Sequence, residues 1–303
     1  MNSPLISICI AAYKAEKYLE ATLRTVFSQN FNDWELIVTE DGSSDRTEEF
    51  VKEFAQKVPQ RVIYNRHEHN RGLPATRNTG IAAATGEWIA FLDADDLWKP
   101  DHLSALLSTS QIEDCDMIYA GSVQYDDATW TKLSTRAPSD QDLIDLPVAI
   151  YTGRLSIMSS SVMVKRESIK KFGPFSPEFP ICNNTEYWLR ILSKGGRILY
   201  SGTNTCIYRQ HSGGLSSKTT ASLSESARIC ERYRNWDAIP HLIARTRTAS
   251  LYRWVGRMLL DDSPSEALKP LCHSLRIQPL NPKTLGLWAR AFFHQSSKHR
   301  HAA

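Results

Sequence analysis

The sequence has no hydrophobic run long enough to cross a membrane. A transmembrane helix needs roughly 20 consecutive apolar residues, and no stretch of that length occurs. The first apolar run, residues 5–12, is short and follows no basic segment. We therefore expect no signal peptide, and a mature chain that begins close to its first core strand.

The sequence contains few cysteines and only a small net charge. The six cysteines form no C-x-x-C pair and no zinc-binding spacing. They predict reduced thiols in a cytoplasmic protein. The net charge of +3 is too small to indicate a nucleic acid partner.

Glycine-rich nucleotide-binding motifs are missing as well. No G-x-G-x-x-G follows the first apolar run, which excludes a Rossmann dehydrogenase. The segment Ala11-Ala12-Tyr13-Lys14 is not the glycine-rich phosphate loop with a following lysine that a nucleotidyltransferase would need.

What the first half does contain is a regular alternation of strand-like and helix-like segments. The predicted strands are residues 6–11, 34–38, 61–64 and 87–92, and the predicted helices are residues 18–29, 46–58 and 73–84. This rhythm predicts an α/β fold whose mostly parallel central sheet is flanked by helices on both faces.

The second half is less regular. Further strands are predicted at residues 117–125, 160–164, 197–200 and 205–208, and a helix at 185–194. Residues 126–147 are polar and predict a variable loop with a short helix. Residues 212–226, rich in serine, threonine and glycine, predict a linker or mobile loop.

From about residue 227 the chain becomes helical and basic, which predicts a C-terminal helical appendage. Residues 251–279 resemble one tetratricopeptide-type hairpin, because Trp254, Gly256, Ala267 and Pro279 fall near that pattern. Any amphipathic helix pair is the alternative. We expect a catalytic domain over residues 1–215 and a helical region over residues 216–303.

Two acidic clusters follow predicted strands. The apolar run from Ile89 ends in Asp93, Asp95 and Asp96, and Asp41 follows the second strand. Ligands bind outside the carboxyl ends of parallel strands. The D-x-D pair suits Mg²⁺ or Mn²⁺, which carry phosphates with them. An ordinary acidic turn is the alternative.

The carboxylate of Asp41 suits the N–H groups of a nucleobase edge. Arg71 and Arg77 stand at a predicted helix start, where helix N-termini and arginines favour anionic phosphate. Surface charges on a solvated helix are the alternative, more so for Arg71 than for Arg77.

Five ordered segments carry a family pattern: residues 8–19, the segment V-T-E-D-G-S-S-D at 38–45, residues 70–80 (N-R-G-L-P-A-T-R-N-T-G, similar to N-x-G-x-x-x-A-R-N-x-G), the D-x-D segment at 90–96 followed by Trp98 and Pro100, and Y-R-Q-H at 208–211. Together they resemble the inverting glycosyltransferases of family 2, which have the GT-A fold. The resemblance covers roughly residues 5–215. Ala12 and Lys14 depart from the proline and asparagine usual at those positions.

The resemblance implies a nucleotide-diphosphate sugar donor (UDP-, GDP- or dTDP-linked), Mn²⁺ or Mg²⁺, and inversion at the anomeric carbon. The donor-binding residues it implies are Ala12, Tyr13, Asp41, Arg77, Asp93, Ala94 and Arg209. The metal ligands it implies are Asp95 and His211, although an ordinary surface histidine is the alternative for His211.

One departure concerns the general base that an inverting transferase needs. The family usually supplies it from an E-D pair, where this chain has Asn183 and Asn184. An amide cannot act as a base, so our hypothesis is that Glu186 does. The alternatives are a base from elsewhere such as Asp96, weak or lost activity, or a structural role for Glu186 as a helix N-terminal acid.

The sequence thus predicts transfer of a single sugar to a hydroxyl acceptor in bacterial surface polysaccharide or glycolipid synthesis, because the Q-x-x-R-W motif of processive synthases is missing. A silent nucleotide-sugar-binding protein is the alternative. The expected location is the cytoplasm. The protein would lie at the inner face of the membrane if apolar side chains of the last helix contact a membrane that holds a lipid-linked acceptor. These side chains are Leu285, Leu287, Trp288, Phe292 and Phe293. Those side chains suit a core or an oligomer contact equally well.

Overall fold

The structure, a computed structural model, describes residues 4–211 and 219–300, with side chains up to residue 293. Two compact units are present, Met1–Ser212 and Gly213–Ala303. The first unit holds every residue of the predicted site, and the second unit is helical in its described part.

The first unit is built on one mixed sheet. Its strands are β1 (Ile6–Ala12), β2 (Trp34–Glu40), β3 (Val62–Arg66), β4 (Trp88–Asp93), β5 (Leu97–Trp98), β6 (Met117–Asp126), β7 (Lys132–Arg136), β8 (Val162–Lys165) and β9 (Ile198–Gln210). Among the described residues they join in the order β3-β2-β1-β4-β8-β6-β9-β5, with β7 added to β6. The β3-β2-β1-β4 half and the β6–β9 pair are parallel.

Helices accompany the strands as the alternating pattern predicts. They are α1 (Leu19–Phe27), α2 (Thr47–Ala55), α3 (Leu73–Ala83), α4 (His102–Ser110), α5 (Asp140–Ile144), α6 (Leu146–Thr152), α7 (Arg166–Phe172) and α8 (Asn183–Ser193). The apolar stripe of α1, formed by Leu19, Leu23 and Val26, is buried in the core. The predicted α/β fold with a mostly parallel sheet flanked by helices is confirmed.

The register of the central strands positions the site. Ala11 of β1 pairs with Thr39 of β2 on one side and with Asp93 of β4 on the other. The three strands therefore end at the same level. Their carboxyl ends bring the segment after β2, which begins with Asp41, and the acids after β4 to one edge of the sheet.

The predicted pair of strands at 197–200 and 205–208 is wrong in one respect, because β9 is continuous from Ile198 to Gln210. Gly202 has a positive φ of 73°, and the register with β6 shifts near Gly121. Such irregularities let a strand bend without ending, so the polar residues between the two apolar pieces stay in the sheet.

The segment predicted as a loop at 126–147 contains a strand as well as helices. β7 pairs antiparallel with β6, from which a short turn separates it. Its residues are mostly exposed and polar, so they show no alternation of buried and exposed side chains. The strand exists because β6 offers backbone hydrogen bonds, a tertiary cause that the sequence pattern does not carry.

The second unit contains α9 (Thr219–Arg232), α10 (His241–Leu259), α11 (Pro264–Ile277) and α12 (Pro282–Arg300). The predicted linker therefore becomes helical from Thr219, while residues 212–218 lie outside the described part. Over the described residues, no helix combines the length and the apolar character that a membrane crossing demands.

The helix pair α10–α11 falls where the tetratricopeptide-like hairpin is predicted. Its contact depends on Gly256, where an added Cβ would lie 2.5 Å from Cγ of Leu271 and 3.3 Å from the carbonyl oxygen of Ala267. Both of those neighbours are fully buried. Glycine thus sets how closely these two helices approach.

We expect Gly256→Ala to lower the free energy of unfolding by about 1–3 kcal/mol, because overpacking a close contact outweighs the better helix propensity of alanine. Gly286→Ala is the matched control, since a Cβ there meets no atom within 4 Å. It should be neutral or stabilising. Urea unfolding of both variants measures the difference, and equal effects would contradict a packing role for Gly256.

Candidate active site

Asp41 lies at the carboxyl end of β2 and is buried. Its backbone N–H donates to the carbonyl of Ala12 at 2.9 Å. Its Oδ1 lies 2.7 Å from Nδ1 of His67 and accepts from the Arg71 N–H at 2.9 Å, and its Oδ2 accepts from the Gly72 N–H at 2.9 Å. Burial alone would raise the pKa of Asp41, but these hydrogen bonds hold it below its ordinary value. Asp41 is therefore an ionised acceptor in a fixed orientation.

Arg77 lies on α3, and its side chain is only 2% exposed. Nη1 donates to Oδ1 of Asn183 at 2.6 Å and of Asn184 at 2.7 Å. Nη2 donates to Oδ1 of Asp93 at 2.6 Å and to Oγ of Ser159 at 2.7 Å. The guanidinium thus ties the start of α8 and the end of β4 to α3. All of these hydrogen bonds go to protein groups, so Arg77 acts by holding the residues at this edge of the sheet in place.

Asp95 and His211 form a contact pair. Nε2 of His211 lies 2.9 Å from Oδ2 of Asp95, although the two residues are 116 positions apart. The hydrogen bond to Asp95 raises the pKa of His211, against the opposing effect of burial. Nε of Arg209 donates to the backbone carbonyl of Asp95 at 3.0 Å. The structure therefore brings together three residues that the sequence placed in one metal and phosphate site.

Asp96 points inward. Its Oδ2 accepts from the Ser160 hydroxyl and its Oδ1 from the Arg209 backbone N–H. Burial, together with the charges of Asp95 and Asp93, raises the pKa of Asp96 well above its ordinary value. A carboxyl group with these partners supports the fold of the acidic segment.

Glu186 lies in the first turn of α8, where its side chain is 2% exposed. Its Oε2 accepts from Nη2 of Arg190, one turn along the same helix, at 3.0 Å. A general base must come within hydrogen-bond reach of the proton it takes. The role of Glu186 as base remains a prediction, and the ion pair gives the residue a structural function as well.

The remaining predicted donor residues lie at the same edge. Tyr13 follows β1 with an exposed side chain, and Ala94 is buried between the two acids of the D-x-D pair. Sequence reasoning missed His67, Ser159 and Ser160, which orient Asp41, Asp93 and Asp96. The only available signal was the run Ser159-Ser160-Ser161, three hydroxyl side chains in front of β8.

The comparisons with known proteins decide the family. The sequence model described as Glycosyl transferase family 2 matches residues 7–173, more than half of the chain. The chain belongs to glycosyl transferase family 2. The family's members are transferase enzymes, and the motif-based resemblance to this family is confirmed.

Two curated glycosyltransferases are among the relatives of this chain. TuaG of Bacillus subtilis (strain 168), a glycosyltransferase provisionally assigned to teichuronic acid biosynthesis, is 30% identical over 71% of this chain and 82% of its own. WfaP of Escherichia coli, a UDP-Glc:α-D-GlcNAc-diphosphoundecaprenol β-1,3-glucosyltransferase, is 26% identical over 74% of this chain and 85% of its own.

Solved structures share the fold of this family 2 chain. S. aureus TarS 1-349 in complex with UDP-GlcNAc is 17% identical, with a TM-score of 0.64 over 94% of this chain and 79% of its own. The mannosyltransferase PcManGT from Pyrobaculum calidifontis, in complex with GDP-Man and Mn²⁺, is 15% identical, with a TM-score of 0.63 over 96% of this chain and 86% of its own. A longer TarS chain is matched over 50% of its length. These likenesses establish the GT-A fold.

The donor set at Asp95 and His211 fits Mn²⁺ or Mg²⁺ of the kind the family implies. The carboxylate of Asp95 suits both ions. Within residues 4–211 and 219–293, no cluster of three or more His, Cys, Asp or Glu side chains is arranged to hold a metal ion. Asp95 and His211 would therefore hold the ion together with oxygens of a bound diphosphate, which is common for Mg²⁺.

We expect Arg77→Met to lower the free energy of unfolding by about 3 kcal/mol or more, because it leaves the acceptors of a buried charge without their donor. Arg71→Met is the matched control, since the Arg71 side chain is exposed and its contact with Asp41 is made by the backbone. The control should change stability by less than about 0.5 kcal/mol. Urea unfolding measures both, and similar losses would contradict the role of Arg77.

Proposed function

We propose that this chain is an inverting glycosyltransferase that moves one sugar from a nucleotide-diphosphate donor to a hydroxyl acceptor. The observation that supports this most strongly is the convergence of Asp41, Asp93 and the Asp95–His211 pair at the carboxyl edge of one sheet. The names of TuaG and WfaP support a glycan or lipid-linked acceptor in bacterial surface polysaccharide synthesis. The complexes of TarS and PcManGT support a UDP- or GDP-linked donor.

We assign to the residues the roles that the family resemblance implies, and their environments support these assignments. Asp41, ionised and fixed by three N–H donors, accepts from the nucleobase beside the backbone of Ala12. Asp93, held by Arg77 and Ser159, is placed for the ribose. Asp95 and His211 hold the divalent ion. When bound, that ion supplies Lewis-acid stabilisation of the charge that develops on the leaving diphosphate.

The acceptor hydroxyl must lose its proton as the new bond forms, and we propose Glu186 as the base. A second candidate function, donor binding with weak or no transfer, is favoured by a specific observation. Both asparagines at the usual base positions are engaged by Arg77, and Glu186 is buried in its ion pair. An active transferase and a silent donor-binding protein would differ in turnover, but both would bind the nucleotide-sugar donor.

We expect the wild-type chain to bind UDP, GDP or dTDP more tightly with Mn²⁺ than with EDTA. Asp95→Asn should remove most of that difference, because it takes away the carboxylate ligand. Asp101→Asn, an exposed aspartate before α4, is the control and should behave as wild type. Calorimetry measures binding independently of turnover. A metal effect that Asp95→Asn leaves unchanged would contradict the assignment.

We expect Glu186→Gln to lower kcat by about a hundredfold or more without changing donor affinity, the usual effect of losing a general base. Nucleoside diphosphate release, with and without acceptors, measures it. Glu178→Gln, exposed and just upstream of α8, is the control. Unchanged turnover in Glu186→Gln would exclude Glu186 as the base. Asn184→Asp, which keeps an oxygen for Arg77, would then raise turnover if the base is simply missing.

A further inference from the structure

The turn between β6 and β7 brings Asp127 to a cluster of cationic side chains. Oδ2 of Asp127 accepts from Nζ of Lys17 at 2.8 Å and from the hydroxyl of Tyr18 at 2.9 Å. Its Oδ1 lies 3.3 Å from Nη1 of Arg209. One carboxylate, only 15% exposed, thus joins the start of α1, the β6–β7 turn and the end of β9.

Arg209 is enclosed by this cluster. Its guanidinium carbon lies 4.9 Å from the ring centroid of Tyr18 and 5.4 Å from that of Trp130. Its Nε donates to the carbonyl of Asp95, and its side chain is 12% exposed. A guanidinium with a carboxylate partner and two aromatic neighbours is held in one orientation before any ligand arrives.

The cluster adjoins the Asp95–His211 pair. The rings of Tyr18 and His211 have centroids 4.8 Å apart, and Arg209 bonds the backbone of Asp95 itself. Hydrogen bonds from Lys17, Tyr18 and Arg209 lower the pKa of Asp127 to about 2, so it is ionised at neutral pH. Lys17, Arg209 and Asp127 together carry one net positive charge.

We infer that Asp127 is a positioning residue for the leaving diphosphate. It acts mainly through Arg209, which it holds beside the Asp95–His211 pair, and it also pairs with the more exposed Lys17. The inference rests on the proposed function, since that function supplies the diphosphate. As the glycosidic bond to the donor phosphate breaks, negative charge grows on the diphosphate, and cations already held in place stabilise it without reorganisation.

Two alternatives give Asp127 no such role. In the first, it merely closes the turn, but Asp126 already does so, because its Oδ1 accepts from the N–H groups of Ala128 and Thr129 and from the Thr129 hydroxyl. In the second, it forms ordinary surface ion pairs, whose loss changes little. A carboxylate near an anion site is by itself repulsive, so removal of its charge alone would tighten nucleotide binding.

The test compares Asp127→Asn with Asp126→Asn, two isosteric changes one residue apart. We expect Asp127→Asn to weaken UDP binding in the presence of Mn²⁺ by about tenfold, the equivalent of about one charge-assisted hydrogen bond. The donor KM should rise and kcat should fall. Asp127→Glu should restore part of the loss. Asp126→Asn should shift the melting temperature and leave UDP affinity unchanged.

The direction in which UDP affinity changes in Asp127→Asn distinguishes the inference from its alternatives. UDP binding by Asp127→Asn that equals or exceeds the wild-type affinity would overturn the inference and leave the proposed function intact. Failure of the wild-type chain to bind UDP, GDP or dTDP would overturn the proposed function and this inference with it. If Asp127→Asn does not fold, Tyr18→Phe removes one hydrogen bond of Asp127 and keeps the ring, and a loss of about threefold is expected; an unchanged affinity would overturn the inference.

Discussion

The arrangement of the predicted site at the carboxyl edge of the sheet depends on a single buried cation, Arg77. Arg77 has five N–H donors in a rigid planar arrangement and cannot lose its charge. When a guanidinium is buried away from water, it is stable only where acceptor atoms lie in line with its N–H bonds. Two asparagines of α8, one carboxylate of β4 and one serine hydroxyl supply them. The ring of Phe175, with its centroid 5.3 Å from the guanidinium carbon, lies beside the same group. Segments far apart in the chain are therefore fixed relative to one another by the needs of one side chain.

Three aspartates of the first unit differ in pKa although their side chains are chemically identical. Asp41 is buried, but several N–H donors keep it ionised. Asp96 lies deeper and beside two other acids, and its hydrogen bonds do not offset the effect of burial on its pKa. Asp127 lies nearer the surface among cations, which lower its pKa to about 2. The depth of burial and the number and charge of the donors together separate these groups.

Much of this arrangement follows from the sequence alone. Continuous apolar runs predict β1, β2 and β4, and the acids at their ends predict the ligand edge, because parallel strands end together. A solvated surface position was less expected for Arg77 than for Arg71, and the partners of Arg77 were not predicted. Asn183 and Asn184 were recognised as replacements for an acidic pair, and only the structure shows that both bind one guanidinium.

Other parts depend on contacts that no local pattern encodes. The polar strand β7 forms because β6 has free hydrogen-bonding capacity, so its own residues show no strand periodicity. Asp127 lies in a segment expected to be a loop, and its partners come from residues 17, 18 and 209. Ser159 and Ser160 acquire their roles from what they face, since serine is common everywhere on protein surfaces.

The two asparagines have a consequence for behaviour in acid. An amide side chain does not titrate, and Arg77 keeps its proton at any pH a protein survives. The hydrogen bonds from Arg77 that join α3 to α8 therefore involve no group that titrates in acid. A carboxylate at either asparagine position would have its pKa lowered by Arg77, would become protonated only below about pH 4, and would weaken the junction there. In this chain the contact between α3 and α8 at Arg77 therefore contributes little to acid denaturation.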